Sequence, residues 1–187
     1  MLYMLQKCTI FKIAKVFFDD PEREFSLAEI KRSANIAPTS IIIHLKELIK
    51  NGIVCKKDKV SGKRTYPFYK ANFENENYKW YKFIYNLEIL KKSRILEYIQ
   101  DNCMPNCIIF FGSYVKAEDT KESDVDIYVQ SKEKLLNLKK YERFINRKIQ
   151  LHFKEDFNKY PKELKNNIIN GIKLSGYLGV FNEKGNN

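Results

Sequence analysis

No stretch of this sequence approaches the roughly 18 consecutive apolar residues that a membrane-crossing helix needs. The longest apolar runs, around Ile41 to Ile43 and Cys107 to Phe111, fall far short, so neither a transmembrane helix nor a membrane partner is expected. The opening stretch through Phe18 is interrupted by Lys7, Lys12 and Lys15 and lacks a small-residue cleavage site, which argues against a secretory leader. A cytoplasmic location is the resulting expectation. Histidine is scarce, with only His44 and His152, and Cys8, Cys55, Cys103 and Cys107 do not form the paired short spacings of a zinc site. They read as reduced, mostly buried thiols, with a redox clip between Cys103 and Cys107 as the minor alternative. Internal repeats and low-complexity segments are also missing.

What is present is a 187-residue chain with 44% hydrophobic residues, enough for one mid-sized core or two small ones. Thirty-four Lys plus Arg against 23 Asp plus Glu give a formal net charge of +11, which favours an acidic partner such as nucleic acid or a nucleotide. The plainer alternative is solubility alone.

Periodicity divides the chain. Leu2, Leu5, Ile10, Ile13, Ala14 and Phe17 recur at helical spacing, predicting an opening helix that ends near Asp19, Asp20 and Pro21. Ser26 with Glu29 three residues on is a capping-box pattern for a second helix that stops near Asn35. Pro38 opens a third helix with Ile41, Leu45 and Leu48 as its buried stripe, and Asn51-Gly52 ends it. Two strands come next, Ile53 to Lys57 and Arg64 to Lys70, joined by a turn from Asp58 to Lys63. Residues 1–75 are thus expected to form an α+β winged helix-turn-helix domain.

Residues 76–101 contain no Gly or Pro and read as one linking helix or two in succession. Beyond Pro105 come a strand (Cys107 to Phe111), a loop, a strand (Asp124 to Val129), a helix near Glu133 to Phe144, a strand (Lys148 to Phe153) and a closing helix. That alternation predicts a small α/β domain with a mixed sheet over residues 102–187.

The chemistry concentrates between Phe110 and Val129. Gly112 follows an apolar strand, where a missing Cβ lets a phosphate approach the backbone, and Ser113 adds a hydroxyl beside the N–H groups of a helix start. Strand alternation puts Asp124 and Asp126 on one face while Val125, Ile127 and Val129 turn to the core. Two carboxylates so placed suit Mg²⁺ or Mn²⁺ shared with the phosphates of a nucleoside triphosphate. The bland alternative is a plain turn beside a solvated strand face.

Gly112-Ser113 with Asp124-Val125-Asp126 resembles the signature of the polymerase-beta-like nucleotidyltransferase superfamily, particularly its minimal members, over about Met104 to Tyr177. The resemblance implies that Asp124 and Asp126 bind the catalytic metal and that Gly112 and Ser113 bind the nucleotide. It also implies a third carboxylate on a later strand, where this sequence has Gln150, and a second glycine where it has Ala117. A neutral amide is a poor Mg²⁺ ligand and accepts no proton from a nucleophile. His152 shares the strand face of Gln150, and Glu155 and Asp156 are alternative donors should their loop fold back. Relatives implied by the resemblance act as antitoxins by modifying a HEPN-type partner.

Phe25 to Val54 resembles the helix-turn-helix of MarR- or ArsR-like winged regulators, which read duplex DNA. With Ile41, Leu45 and Leu48 inward, Thr39, Ser40, Ile43, His44 and Glu47 face outward, Ile43 toward a thymine methyl. Lys56, Lys57, Lys59, Lys63 and Arg64 oppose only Asp58 in the hairpin, a charge pattern that grips phosphate; of these, Lys57, Lys59, Lys63 and Arg64 are the expected contacts. Three function classes stay open: a DNA-binding regulator with a nucleotide-binding, nucleotidyl-transferring unit, a binding protein without catalysis, or a protein whose winged helix serves only for protein interaction or dimerisation. The apolar face of the linking helix leaves a homodimer open as a further partner arrangement.

Overall fold

The computed structural model describes residues 8–180. The chain forms two compact units, Met1–Glu88 and Ile89–Asn187. Leu2 and Leu5, expected within the first helix, lie outside the described residues.

In the first unit, α1 (Thr9–Asp19) buries Phe11, Ile13, Ala14, Val16, Phe17 and Phe18. β1 (Phe25–Ser26) leads directly into α2 (Leu27–Ala34), whose first turn carries the anticipated capping box. The Ser26 N–H and O–H donate to Glu29 Oε2 at 2.8 and 2.7 Å, and the Glu29 N–H donates back to Ser26 Oγ at 3.4 Å. These donors, the Ser26 N–H foremost, hold the Glu29 carboxyl down to about 2, and Arg23 assists. Left-handed Asn35 (φ 53°) closes α2. Pro38, which has no N–H to leave unsatisfied, begins α3 (Pro38–Lys50), and Ile41, Leu45 and Leu48 form its buried face.

The hairpin differs from expectation. β2 (Val54–Ser61) and β3 (Arg64–Ala71) pair continuously from Val54↔Ala71 to Ser61↔Arg64, so Asp58 to Ser61 belong to a strand and the turn shrinks to Gly62-Lys63. Gly62 at φ 61° takes the left-handed position that so short a reversal demands. β1 then pairs antiparallel with β3, giving the order β1-β3-β2, a third strand too short for periodicity to reveal.

α4 (Glu76–Ser93) and α5 (Ile95–Cys103) run in succession, separated at Arg94 by a left-handed residue (φ 61°). Within the first unit, Tyr78 on α4 packs its ring 5.5 Å from Phe18.

The second unit is built on a mixed sheet in the order β6-β5-β4-β7. β4 (Cys107–Phe111) is antiparallel to β5 (Val125–Val129) and to β7 (Ile172–Gly176), while β5 and β6 (Ile149–Phe153) run parallel. A parallel neighbour needs a crossover, supplied here by α7 (Lys139–Ile145). β4 is buried on both faces. Ile108 and Phe110 join Val125, Ile127, Val129, Ile95, Ile99, Tyr141 and Ile145, whereas Cys107, Ile109 and Phe111 join Tyr128, Phe157 and Ile168 of α8 (Lys162–Ile169).

The helix expected from Glu133 to Phe144 is confined to Lys139–Ile145. Leu136 and Leu138 pack against the core two residues apart from an irregular segment, and Leu135 is fully exposed, so the apolar contacts there follow no helical stripe. β7, Ile-Lys-Leu-Ser-Gly, alternates apolar and polar residues over its first four positions and adds a strand beyond the expected closing helix. Among the described residues no helix is long and apolar enough to cross a membrane. The four cysteines are free, and burial pushes the Cys103 and Cys107 thiols above their usual range.

Candidate functional site

The candidate site lies at the sheet end where β4 exits and β5 enters. Phe111 is the register partner of Asp126, so the next residue, Gly112, turns away beside the Asp126 side chain. Gly112 has φ 82° and ψ −166°, a backbone conformation essentially confined to glycine. A Cβ added there would stand 2.5 Å from Asp126 Oδ2. The space left by the missing side chain therefore admits the Asp126 carboxylate, which ties the two halves of the motif together. Ser113 begins the single-turn helix α6 (Ser113–Lys116), with Tyr114 anchored in the core. Ala117, buried, ends α6 at φ 58°, the left-handed position that favours the glycine implied there by the family resemblance. An alanine in that conformation costs about 1–2 kcal/mol.

Asp124 reaches the sheet from a loop braced by the Thr120 N–H donating to Ser123 Oγ at 2.9 Å. The Val125 N–H then donates to Lys148 O at 2.8 Å and starts the pairing with β6. Val125, Ile127 and Val129 are buried, while Asp124 and Asp126 are half-buried at the sheet end. Parallel register pairs Asp126 with Gln150. Through it, Gln150 Nε2 donates to Asp124 Oδ2 at 2.6 Å, and His152 Nε2 stands 3.0 Å from Asp126 Oδ1. The His152 ring lies 5.0 Å from that of Phe111.

Gln150 and His152 thus face the aspartate pair directly. Glu155 and Asp156 do not: Glu155 offers its carbonyl to Gln130 Nε2 at 3.1 Å, and Asp156 Oδ1 caps the adjoining 3₁₀ turn by accepting from the Asn158 N–H at 3.0 Å. Among the described residues no three His, Cys, Asp or Glu side chains converge as a metal cage. An all-oxygen pair of carboxylates nevertheless fits a hard cation whose remaining ligands are phosphate and water.

In the first unit the outward side of α3 presents Thr39 and Ile43, the latter 64% exposed, with Ser40 and His44 half-buried. His44 Nδ1 lies 3.8 Å from Glu47 Oε2. Lys63 and Arg64 stand exposed at the hairpin tip. Lys57 and Lys59 are not opposed by Asp58 alone, because Glu24 lies 3.6 Å from Lys57 Nζ and 2.6 Å from Lys59 Nζ. Lys59 foremost holds the Glu24 carboxyl below its usual range. The sequence gives no sign of this partner, because Glu24 meets the hairpin through β1, which pairs with a strand far along the chain.

Residues 93–176 match the family described as Polymerase beta, Nucleotidyltransferase, and the C-terminal part of the chain is nucleotidyltransferase-like. A solved structure described as a possible transcriptional regulator from Methanosarcina mazei Go1 is 15% identical, with a TM-score of 0.36, over 54% of this chain and 88% of that one. No curated protein matches the chain.

Proposed function

We propose that the chain is a DNA-binding regulator of winged helix-turn-helix type whose nucleotidyltransferase-like unit binds a nucleoside triphosphate with Mg²⁺ or Mn²⁺. The observation that carries the nucleotide site is the interlock of Gly112 with Asp126, beside Ser113 and Asp124. Asp124 and Asp126 would hold the cation, which when bound offsets phosphate charge and polarises a phosphoryl oxygen. Ser113 supplies a hydroxyl toward the phosphates.

Gln150 decides the fate of the bound nucleotide. Its amide donates to Asp124, which keeps that carboxylate oriented, but it accepts no proton from an attacking hydroxyl. Binding therefore outlasts fast nucleotidyl transfer, and the unit works as a nucleotide sensor. Calorimetric titration of nucleoside triphosphates, with and without Mg²⁺, against the native chain and an Asp124→Asn, Asp126→Asn variant tests this. Metal-dependent binding that disappears in the variant supports the site; equal binding by both proteins refutes it. Gln150→Asp should then raise transfer of labelled nucleotide above the native level.

DNA binding is supported by the exposed side of α3 and the cationic hairpin. Replacing Lys57, Lys59, Lys63 and Arg64 with Ala should weaken duplex binding across sequences and flatten its salt dependence. An unchanged slope would assign the unit to protein contacts.

A further inference from the structure

A cleft of about 590 Å³ opens in the second unit where Asp124 enters the sheet, between α7 and the loops before β5 and β6. Its lining includes Lys121, Lys139, Arg143, Arg147 and Lys148, so five of the ten residues around it are cations. The acids on the same wall are Glu122, Asp124 and Glu142. Glu142 is already engaged, since its Oε1 accepts the Ile149 N–H at 3.2 Å, and the buried Arg147 is held 3.7 Å from buried Asp119. Lys121, Lys139, Arg143 and Lys148 stand exposed along the open cleft against one exposed acid, Glu122, so its accessible charge is cationic.

The other flank of α7 is aromatic, with Arg94 and Lys140 beside Asp101 and Glu97, the latter paired with Lys91 at 2.9 Å. Lys140 Nζ lies 4.7 and 5.6 Å from the ring centroids of Tyr141 and Tyr98, and Phe144 is 53% exposed. A small anion would need only the cleft. A cationic cleft on one side of a helix and an open ring on the other suit a longer polyanion whose bases stack.

We propose that α7 and the cleft beneath it bind single-stranded nucleic acid, with Lys139 and Arg143 contacting phosphates and Phe144 stacking on a base. This surface shares Asp124 with the metal–nucleotide reading, but its cations and Phe144 take no part in that site. A polar acidic protein would satisfy the cations but leave Phe144 without a role.

The test is fluorescence anisotropy of labelled single-stranded DNA and RNA oligonucleotides with the full chain over a range of salt. A Lys139→Gln, Arg143→Gln variant should bind about tenfold more weakly, and the slope of log affinity against log salt should fall by about 1.4, since each phosphate contact on a single strand contributes about 0.7. Phe144→Ala should weaken binding by about fivefold or more without changing the slope. Lys139→Arg should retain native affinity, which separates charge from folding. Lys63→Ala, Arg64→Ala in the hairpin should leave single-strand affinity intact, and binding of Mg·ATP should be unchanged in the α7 variants. Unchanged oligonucleotide affinity in the Lys139, Arg143 variant overturns the proposal. So does a parallel loss of Mg·ATP binding, which would give the cleft to the nucleotide, or inorganic pyrophosphate binding as tightly as the oligonucleotides.

Discussion

At the scale of single residues, position 112 tolerates no side chain. An alanine there must adopt φ 82° and meet the Asp126 carboxylate at 2.5 Å. Gly112→Ala is expected to cost about 1–3 kcal/mol, the range for a backbone held in a sparsely populated region, and to abolish metal-dependent nucleotide binding. Denaturant unfolding and calorimetry check both effects. Ser113→Ala, which keeps the backbone, should weaken nucleotide binding while leaving stability within about 0.5 kcal/mol. Much of this is legible in sequence: Gly112, Ser113, Asp124 and Asp126 carry the motif, and the alternation of β5 puts its valines and isoleucine inside. The mutual fit of Gly112 and Asp126 is not, because it depends on the register of β4 against β5. Gln150 and His152 are legible as neighbours on one strand face but not as direct partners of the aspartates, since sequence does not specify the parallel alignment of β6.

Among the secondary-structure elements, α2 offers a pH-dependent test. Its capping carboxylate Glu29 ionises at about 2, against an ordinary value of 4.5. A depressed folded value means that the cap's contribution is complete above pH 4.5 and fades as pH falls toward 2. Glu29→Gln should therefore lower stability by about 1 kcal/mol at neutral pH, a typical capping loss. The gap to the native chain should close on acidification, as urea unfolding at stepwise pH would reveal. α5 offers a stabilising change. Met104 ends it at φ 44° and is 80% exposed, so Met104→Gly relieves left-handed strain without emptying the core. A gain of about 0.5–1 kcal/mol is expected after the extra flexibility of glycine in the unfolded chain is subtracted, and thermal or urea unfolding measures it. Capped, strongly amphipathic elements such as α2 and α3 can be read from sequence because local signals agree with tertiary packing. β1 and the shortened α7 cannot, since each is defined by a distant partner rather than by its own periodicity.

Over the whole molecule, the formal charge of +11 is not spread evenly in effect, because some cations are already engaged. Glu24 sits beside Lys57 and Lys59, two of the four cations expected to grip DNA. Glu24→Gln should release both, tightening duplex DNA binding and steepening its salt dependence, whereas an affinity loss would show that Glu24 positions the lysines. Electrophoretic mobility shifts at several salt concentrations distinguish the two. Glu24 belongs to Met1–Glu88 and the proposed nucleotide site to Ile89–Asn187, so this change should leave Mg·ATP binding untouched.

Asp126 occupies the room that Gly112 leaves, so the two positions, far apart in the chain, form one lock whose parts are not independently replaceable. In a double-mutant cycle, Gly112→Ala should therefore cost less stability in an Asp126→Ala background than in the native chain. The shortfall measures the steric part of the clash, because the backbone penalty at φ 82° is common to both backgrounds. For the same reason, a chain that lost the Asp126 carboxylate would be released from only part of its need for glycine at position 112: the collision would vanish, while the backbone turn would still select against any side chain.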